Sequence, residues 1–201
     1  MDHLIITIRR EFGAEGHEIG SQLSRRLAID FYDKDILGKA VLKKGQDETS
    51  FKAVDENITP NNVNLRFPSF AFTRKSDQLF ELEKEVIRDI AESKSCIIMG
   101  RLSDYILRDK KNTLNVYITA PMEFRVKNIQ DKYNYSETES KKMVRRMDIM
   151  RRDYRNYYSN GKTKLFDNKD LVLNRKTFGI EGCVDILEIA VHSKLSQLQN
   201  L

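Results

Sequence analysis

The sequence predicts an α/β protein, with a parallel sheet that has helices on both faces. Short apolar runs of strand length recur along the chain, helix-period stretches lie between them, and a glycine-containing turn follows the first run. Strands that alternate with helices form right-handed βαβ units, which bring the strands into one parallel sheet. A length of 201 residues is most simply one domain, 1–201.

The strands are predicted from the most apolar segments, which are 4–8, 31–32, 95–99, 114–119 and 170–174. The helices are predicted where apolar residues recur with the helical period, at 17–28, 33–43, 76–93, 103–108, 121–133, 136–158 and 180–198. Residues 44–75 break this pattern with Pro60 and Pro68, and we interpret them as an insert over the site. Ligands of such folds bind beyond the carboxyl ends of the strands, so the segments that follow the strands form the candidate site.

Composition favours a soluble protein with an anionic ligand. No apolar run approaches the roughly 20 residues of a membrane span, and Met1 leads into a strand without a signal-peptide pattern. Cys96 and Cys183 lie in apolar settings, which favours buried thiols over a disulfide or a metal pair. We therefore expect a cytoplasmic protein. The net charge of +5 suits an anion without naming it.

The turn after the first strand has features of a phosphate site. Gly13 and Gly16 permit positive φ and close backbone approach, and the N–H groups at the start of the following helix attract an anion. An ordinary strand-to-helix turn fits the same glycines. The pattern G-x-x-x-x-G-K-[ST] is absent, because the segment has neither the lysine nor the hydroxyl. Arg9, Arg10 or His17 could supply part of the missing charge.

Carboxylates near this turn each have two interpretations. Glu18 could cap the first helix or hold Mg²⁺, because carboxylates suit that ion. Asp33, directly after the second strand, could cap the next helix or direct its carboxylate at a transfer site. Glu15 brings a negative charge into the turn itself.

Two groups of arginines are further candidates. Arg101 follows a strand and Gly100, where its guanidinium could form a forked pair with a phosphate or a surface salt bridge. In the helical stretch 141–158, methionines and tyrosines at spacings of three and four indicate a packed face. Its other faces carry Arg151 and Arg155, as a solvated charged surface or as a lid over a transferring phosphate. Nucleic-acid binding by this helix is a further alternative, although no recognised signature accompanies it.

Several blocks together resemble the cytidylate kinase-like family, a branch of the P-loop nucleoside monophosphate kinases. They are IITIRREFGAEGHEIG, LSRRLAIDFYDKDIL, CIIMGRLSDYIL, VYITAP, DIMRRDYRNYY and DLVLNRKTFGIEGCVDIL, in that order. The resemblance implies a three-layer P-loop NTPase-type fold with a helical lid at about 134–165. It also implies phosphoryl transfer from ATP with Mg²⁺ to a nucleotide or a related small acceptor. The resemblance covers nearly the whole chain except the insert at 44–75, which we place near the acceptor site.

The resemblance assigns roles to matching positions. The segment 13–20 matches the phosphate loop of the family, Asp33 matches an aspartate beside the monophosphate site, and Gly100-Arg101 matches a monophosphate contact. Asp148, Arg151, Tyr154 and Tyr157 match an Asp-x-x-Arg-x-x-Tyr pattern beside the lid.

The phosphate loop departs from the family pattern. The lysine of true cytidylate kinases falls on Gly16 and the magnesium-binding hydroxyl on Glu18, and the resemblance implies that this whole branch of the family lacks both residues. Where relatives usually read Ser-Gly-Gly-Arg, this chain has Ala14-Glu15-Gly16-His17.

The first hypothesis is a cytidylate kinase-like phosphotransferase. In it the segment from Arg10 to Glu18 holds the phosphates of ATP, Arg101 binds the acceptor phosphate, and Arg151 and Arg155 stabilise the transferring group. Asp33 would orient the acceptor or Mg²⁺. The alternatives are a non-catalytic nucleotide- or phosphometabolite-binding module with an altered phosphate loop, and a nucleic-acid-binding protein.

Overall fold

The computed structural model describes residues 3–33, Gly38 and 74–199, and contains an α/β sheet of parallel strands. The strands are β1 (Ile5–Arg10), β2 (Asp30–Tyr32), β3 (Cys96–Met99), β4 (Thr113–Thr119) and β5 (Leu171–Asn174). Their order in the sheet is β2-β3-β1-β4-β5, and every pairing is parallel. The predicted fold class is therefore confirmed, and β1 lies at the centre of the sheet.

The helices of the described residues follow the predicted periodic stretches. They are α1 (Gly16–Leu27), α2 (Arg74–Ser93), α3 (Ser103–Ile106), α4 (Met122–Tyr133), α5 (Glu137–Tyr158) and α6 (Arg175–Gln199). Helix α6 is interrupted at Gly179, where φ is 72° and ψ is −179°, so the predicted helix 180–198 corresponds to its longer second part. The helix predicted at 33–43 and the insert predicted at 44–75 lie almost wholly outside the described residues.

The core occupies both faces of the sheet, because alternate residues of each strand point to opposite sides. Ile6 and Ile8 of β1 pack in one cluster with residues of α1 and α6, whereas Ile5 packs in another with residues of α2 and α3. Cys96 and Cys183 are free buried thiols in different clusters. Burial raises the pKa of Cys96 to about 12, so this thiol is inert near neutral pH.

Helices α4 and α5 form a third cluster, in which the methionine face of α5 packs as its spacing predicts. Met143, Met147 and Met150 lie against Val126 and Ile129 of α4. A capping box at Ser136 and Glu139 starts α5. None of the described helices is long and apolar enough to cross a bilayer. Helix α5 contacts the carboxyl end of β1, where Arg151 donates a hydrogen bond to the carbonyl oxygen of Arg10.

Candidate functional site

A cavity of about 480 Å³ lies between the carboxyl ends of the strands and α5. Its wall contains six arginines, namely Arg9, Arg10, Arg101, Arg151, Arg152 and Arg155. The carboxylates in the same wall are Glu11 and Asp148, and both already accept hydrogen bonds from the protein. A concave site with this excess of positive charge attracts an anionic ligand.

The turn between β1 and α1 depends on two glycines that approach other parts of the protein closely. Gly13 has φ of 82°, and a Cβ there would lie 2.8 Å from the carbonyl oxygen of Arg125. A Cβ on Gly16 would lie 2.8 Å from the Cβ of Arg10. Both distances are shorter than real Cβ atoms tolerate, so packing within the protein already requires glycine at these positions.

The turn is held by side chains from α4 and α5. Arg125, which is 5% exposed, donates hydrogen bonds to the carbonyl oxygens of Phe12 (3.2 Å) and Ala120 (3.0 Å) and to Oδ2 of Asp148 (2.5 Å). The N–H of Phe12 donates to Oδ1 of Asp148 at 3.0 Å. Asn128 donates to the carbonyl oxygen of Gly13 at 2.9 Å. Sequence reasoning missed Arg125 and Asn128, because nothing in the local pattern of α4 distinguishes them from surface residues.

The start of α1 has the donors of an anion site. Glu15 is the N-cap, with φ of 54°, and its side chain makes no capping hydrogen bond. Within the described part of the chain, no group accepts a hydrogen bond from the N–H of Gly16, His17 or Glu18. Such first-turn N–H groups, together with the helix dipole, favour a phosphate or another anion.

Arg10 carries the positive charge that lies beside this turn. Its side chain passes Gly16 and reaches the end of β3, where a Cβ on Gly100 would lie 2.5 Å from Nη1 of Arg10. Burial lowers the pKa of Arg10 well below its ordinary value, and the nearby charges of Arg151 and Arg101 lower it further, while Asp33 raises it. The guanidinium nevertheless stays charged near neutral pH, because arginine starts from a very high pKa.

Arg101 is held in place by a buried carboxylate of α2. Gly100, Arg101 and Leu102 all have left-handed φ, at 75°, 51° and 54°. Nη1 of Arg101 lies 3.3 Å from Oε1 of Glu83, which is 1% exposed. The hydroxyl of Tyr154 donates to the other oxygen of Glu83 at 3.4 Å. Arg101 is thus part of a buried pair rather than a surface salt bridge, and Glu83 is a site residue that the sequence analysis missed.

The arginines of α5 differ in their surroundings. Arg151 donates to the carbonyl oxygen of Arg10 at 3.0 Å and lies over the ring of Phe12. Burial lowers the pKa of Arg151. Arg155 is 8% exposed, and its Nε has no hydrogen-bond partner. Arg151 and Arg155 both line the cavity.

The carboxylates and the histidine around the turn face different directions. Glu15 forms an ion pair with Arg175 at the start of α6 (2.7 Å), and Arg175 lies over the ring of Phe124. Nε2 of His17 lies 3.0 Å from Oδ2 of Asp33. The negative charge of Glu15 is therefore neutralised by a partner on another helix.

Two remaining candidates from the sequence have simple environments. Glu18 accepts a hydrogen bond from Gln22 and lies 3.6 Å from Arg25, with about half of its side chain exposed. Ala14 is fully buried. Among residues 3–33 and 74–199, no group of three or more His, Cys, Asp or Glu is positioned to hold a metal ion.

The parallel sheet with β1 at its centre, the glycine turn before α1 and the arginine-lined cavity define a protein of the P-loop kinase fold. A shikimate kinase from Bacteroides thetaiotaomicron has a TM-score of 0.54 at 14% identity, covering 94% of this chain and 98% of that one. A gluconokinase from Sinorhizobium meliloti has a TM-score of 0.56 at 9% identity, covering 98% and 93%. An uncharacterized protein from Eubacterium ventriosum has a TM-score of 0.74 at 23% identity, covering 95% and 99%.

The chain belongs to the cytidylate kinase-like family, whose sequence model matches residues 5–177. The resemblance inferred from the sequence is thereby confirmed. No curated protein shows significant similarity to the chain. The family and the shared kinase fold support a phosphotransferase of the P-loop kind.

Proposed function

We propose that the protein is an ATP-dependent phosphotransferase that acts on a nucleotide or a related small acceptor. One observation carries this proposal: on a kinase fold, an arginine-rich cavity lies at the carboxyl ends of the strands and reaches the turn before α1 at Phe12. The N–H groups at the start of α1 follow that turn, although residues 13–18 do not themselves line the cavity. Phosphoryl transfer depends mainly on positioning and on neutralising charge, which fixed donors and guanidinium groups provide.

The residues present fit the phosphates of ATP. The N–H groups of Gly16, His17 and Glu18 would hold phosphate oxygens, and Arg10 would provide the charge that the missing lysine provides in regular loops. The carboxylate of Glu15 would repel the phosphates, but its ion pair with Arg175 neutralises that negative charge.

The acceptor side of the cavity would be formed by other residues. Arg101 and Arg151 would bind the acceptor and the transferring group, and Glu83 keeps Arg101 in one position. Asp33, beside His17 and close enough to raise the pKa of Arg10, would orient the acceptor or a metal ion.

Mg²⁺ is compatible with this arrangement. Magnesium in phosphoryl-transfer sites is held by one or two carboxylates together with substrate phosphates, so it needs no dedicated protein cage. Asp33 and, by the resemblance of the loop to true cytidylate kinases, Glu18 are the candidates. When bound, Mg²⁺–ATP supplies the phosphoryl group and part of the charge neutralisation.

The first test is a calorimetric titration with ATP, with and without Mg²⁺, followed by a screen for acceptor-dependent ADP release. We expect Mg²⁺ to strengthen binding, and Arg101→Ala and Arg151→Ala to reduce ADP release by at least about tenfold each, as for lost transition-state contacts. The matched control is Arg108→Gln, which removes an exposed arginine outside the cavity wall. ADP release at the wild-type rate in both cavity variants would refute the assignment.

A second candidate is a non-catalytic nucleotide- or phosphometabolite-binding module. The observation that favours it is the absence of a lysine and a hydroxyl from the segment 13–18. Tight ATP binding without ADP release for any nucleotide or small phosphorylated acceptor in the screen would support this candidate over the first.

A further inference from the structure

A second group of cations lines the cavity on the side of β1 opposite to Arg10. Neighbouring residues of a strand point to opposite faces, so Arg9 and Arg10 diverge at the end of β1. Arg9 is paired in register with Tyr117 of β4, which places both side chains on the α2–α3 face of the sheet. Arg155 of α5 completes this part of the cavity wall.

The cations of this group outnumber its carboxylates. Asp104 forms ion pairs both with Arg9 (3.3 Å) and with Lys169. The side chains of Lys169 and Asp104 are 1% and 6% exposed, so solvent screens this pair little. The single negative charge of Asp104 is therefore shared by two cations, and Arg155 adds a third positive charge to the group.

Arg155 is the unsatisfied member of the group. It forms no ion pair with any carboxylate of the described residues, and its buried Nε has no hydrogen-bond partner. Burial and then the charge of Arg9 lower the pKa of Arg155, while the charges of Tyr117 and Asp104 raise it. Buried charged donors are normally paired with an acceptor. The guanidinium of Arg155 lines a cavity, and its Nε has no such partner among the described residues, which indicates that an anion from outside the protein binds there.

We propose that Arg9 and Arg155 form a second anion subsite of the cavity, which binds a phosphate group of the ligand. Arg155 then has a role different from the one its sequence suggested, since it would hold a remote part of the ligand rather than the transferring group. Arg151 and Arg155 are one helical turn apart, which separates their backbones by about 6 Å along α5.

If the proposed phosphotransferase function also holds, on which this step rests, the acceptor belongs to a narrower class. One phosphate group of the acceptor binds at the Arg9–Arg155 subsite, and a separate group of the same molecule binds to Arg101 and Arg151. A doubly phosphorylated small molecule fits this requirement, whereas an acceptor with a single anionic group leaves one subsite empty.

The test uses inorganic phosphate and no ATP, so its outcome does not depend on catalysis. Thermal unfolding of the whole chain is followed in a phosphate-free buffer and in phosphate up to about 10 mM, since a ligand of the native state raises the midpoint. We expect phosphate to raise the wild-type midpoint, and we expect Arg155→Gln to lose at least half of that rise. Arg145→Gln, which removes an exposed arginine of the same helix, should keep all of it.

Two further variants protect the test against a folding defect. Arg155→Lys restores a positive charge and should recover part of the phosphate effect, whereas Arg9→Gln should reduce the effect as Arg155→Gln does. We also expect Arg155→Gln to be at least as stable as the wild type without phosphate, because it relieves repulsion from Arg9. A lower midpoint for this variant in the phosphate-free buffer would contradict the proposal, and so would a phosphate effect equal to that of the wild type.

Crystals grown with tungstate, a heavy phosphate mimic, would locate the ion directly. We expect an anomalous peak between Arg9 and Arg155 that disappears in Arg155→Gln. No peak there, with a peak at the start of α1, would overturn the second subsite and leave the proposed ATP site intact. If both peaks are present but the protein does not turn over ATP, the second subsite stands and the proposed phosphotransferase function fails.

Discussion

Asp148 is expected to be the residue whose loss most weakens the turn that follows β1. Its two carboxylate oxygens accept hydrogen bonds from different partners, the N–H of Phe12 (3.0 Å) and the guanidinium of Arg125 (2.5 Å). Asp148→Asn keeps the size of the side chain but replaces one acceptor oxygen with an NH₂ donor. That donor must face either the guanidinium or the N–H of Phe12, so one of the two hydrogen bonds is lost in either orientation.

The expected destabilisation follows from the burial of the partners. A hydrogen bond to a charged group contributes roughly 1.5–3 kcal/mol, and removing one partner of a fully buried ion pair costs about 3–5 kcal/mol. The Arg125 side chain is 6% exposed but that of Asp148 is 30% exposed, and Glu11 remains 3.4 Å from Arg125. We therefore expect a loss of about 2–3 kcal/mol in the free energy of unfolding, which is about 4–12 °C in midpoint for a chain of this size.

Urea unfolding followed by far-ultraviolet circular dichroism measures this loss. The control is Asp153→Asn on the same helix, where a carboxylate that is 43% exposed pairs with the adjacent Arg152 and a change within about 0.5 kcal/mol is expected. Amide exchange at Phe12 should also accelerate in Asp148→Asn, because that N–H loses its acceptor or its rigid setting. A free energy of unfolding within about 0.5 kcal/mol of the wild type would refute this account of the turn.

Two further predictions concern the same turn. Gly16→Ala should lower the free energy of unfolding by about 1–3 kcal/mol, because the added Cβ would lie 2.8 Å from that of Arg10; Gly182→Ala, at a roomier helical position, should cost nothing in the same urea experiment. Equal effects of the two would argue against a close-packed turn. Arg175→Met should leave the Glu15 carboxylate without its cation, and the resulting repulsion of about 1 kcal/mol should weaken ATP binding about fivefold. Adding Glu15→Gln to this variant should restore the affinity measured by calorimetry. Unchanged affinity in the single variant would mean that the carboxylate does not influence the ligand.

The fold was predictable because its signals are local and strong. Consecutive apolar residues such as Ile5 and Ile6 mark a strand that is covered on both faces, and the structure has β1 where the apolar run indicated it. The boundary that differs most is the start of α6. The chain already turns helically at Arg175, but Gly179 interrupts the helix, and the periodic signal begins only after it.

The candidate site was predictable only in part. Arg10, Arg101 and Arg151 follow strands or lie on the basic helix, and all three line the cavity. The ion-pair partners of these arginines could not be predicted from the sequence, because a pair such as Arg101 with Glu83 joins segments that are distant along the chain. Glu83 occupies a charged helical stretch in which nothing local separates a buried carboxylate from its exposed neighbours.

The altered turn and the arginine of β1 are structurally coupled. By the resemblance to true cytidylate kinases, Gly16 stands at the position of their lysine, and its lack of a Cβ is what lets the Arg10 side chain pass. Gly100 at the end of β3 accommodates the other end of the same side chain. A larger residue at either glycine would clash with Arg10. A lysine at position 16 would therefore displace the Arg10 side chain. The charge beside the turn thus comes from a central strand, whose position is fixed by sheet hydrogen bonds on both sides. This geometry supports the proposal that the loop binds phosphate without the lysine of a regular P-loop.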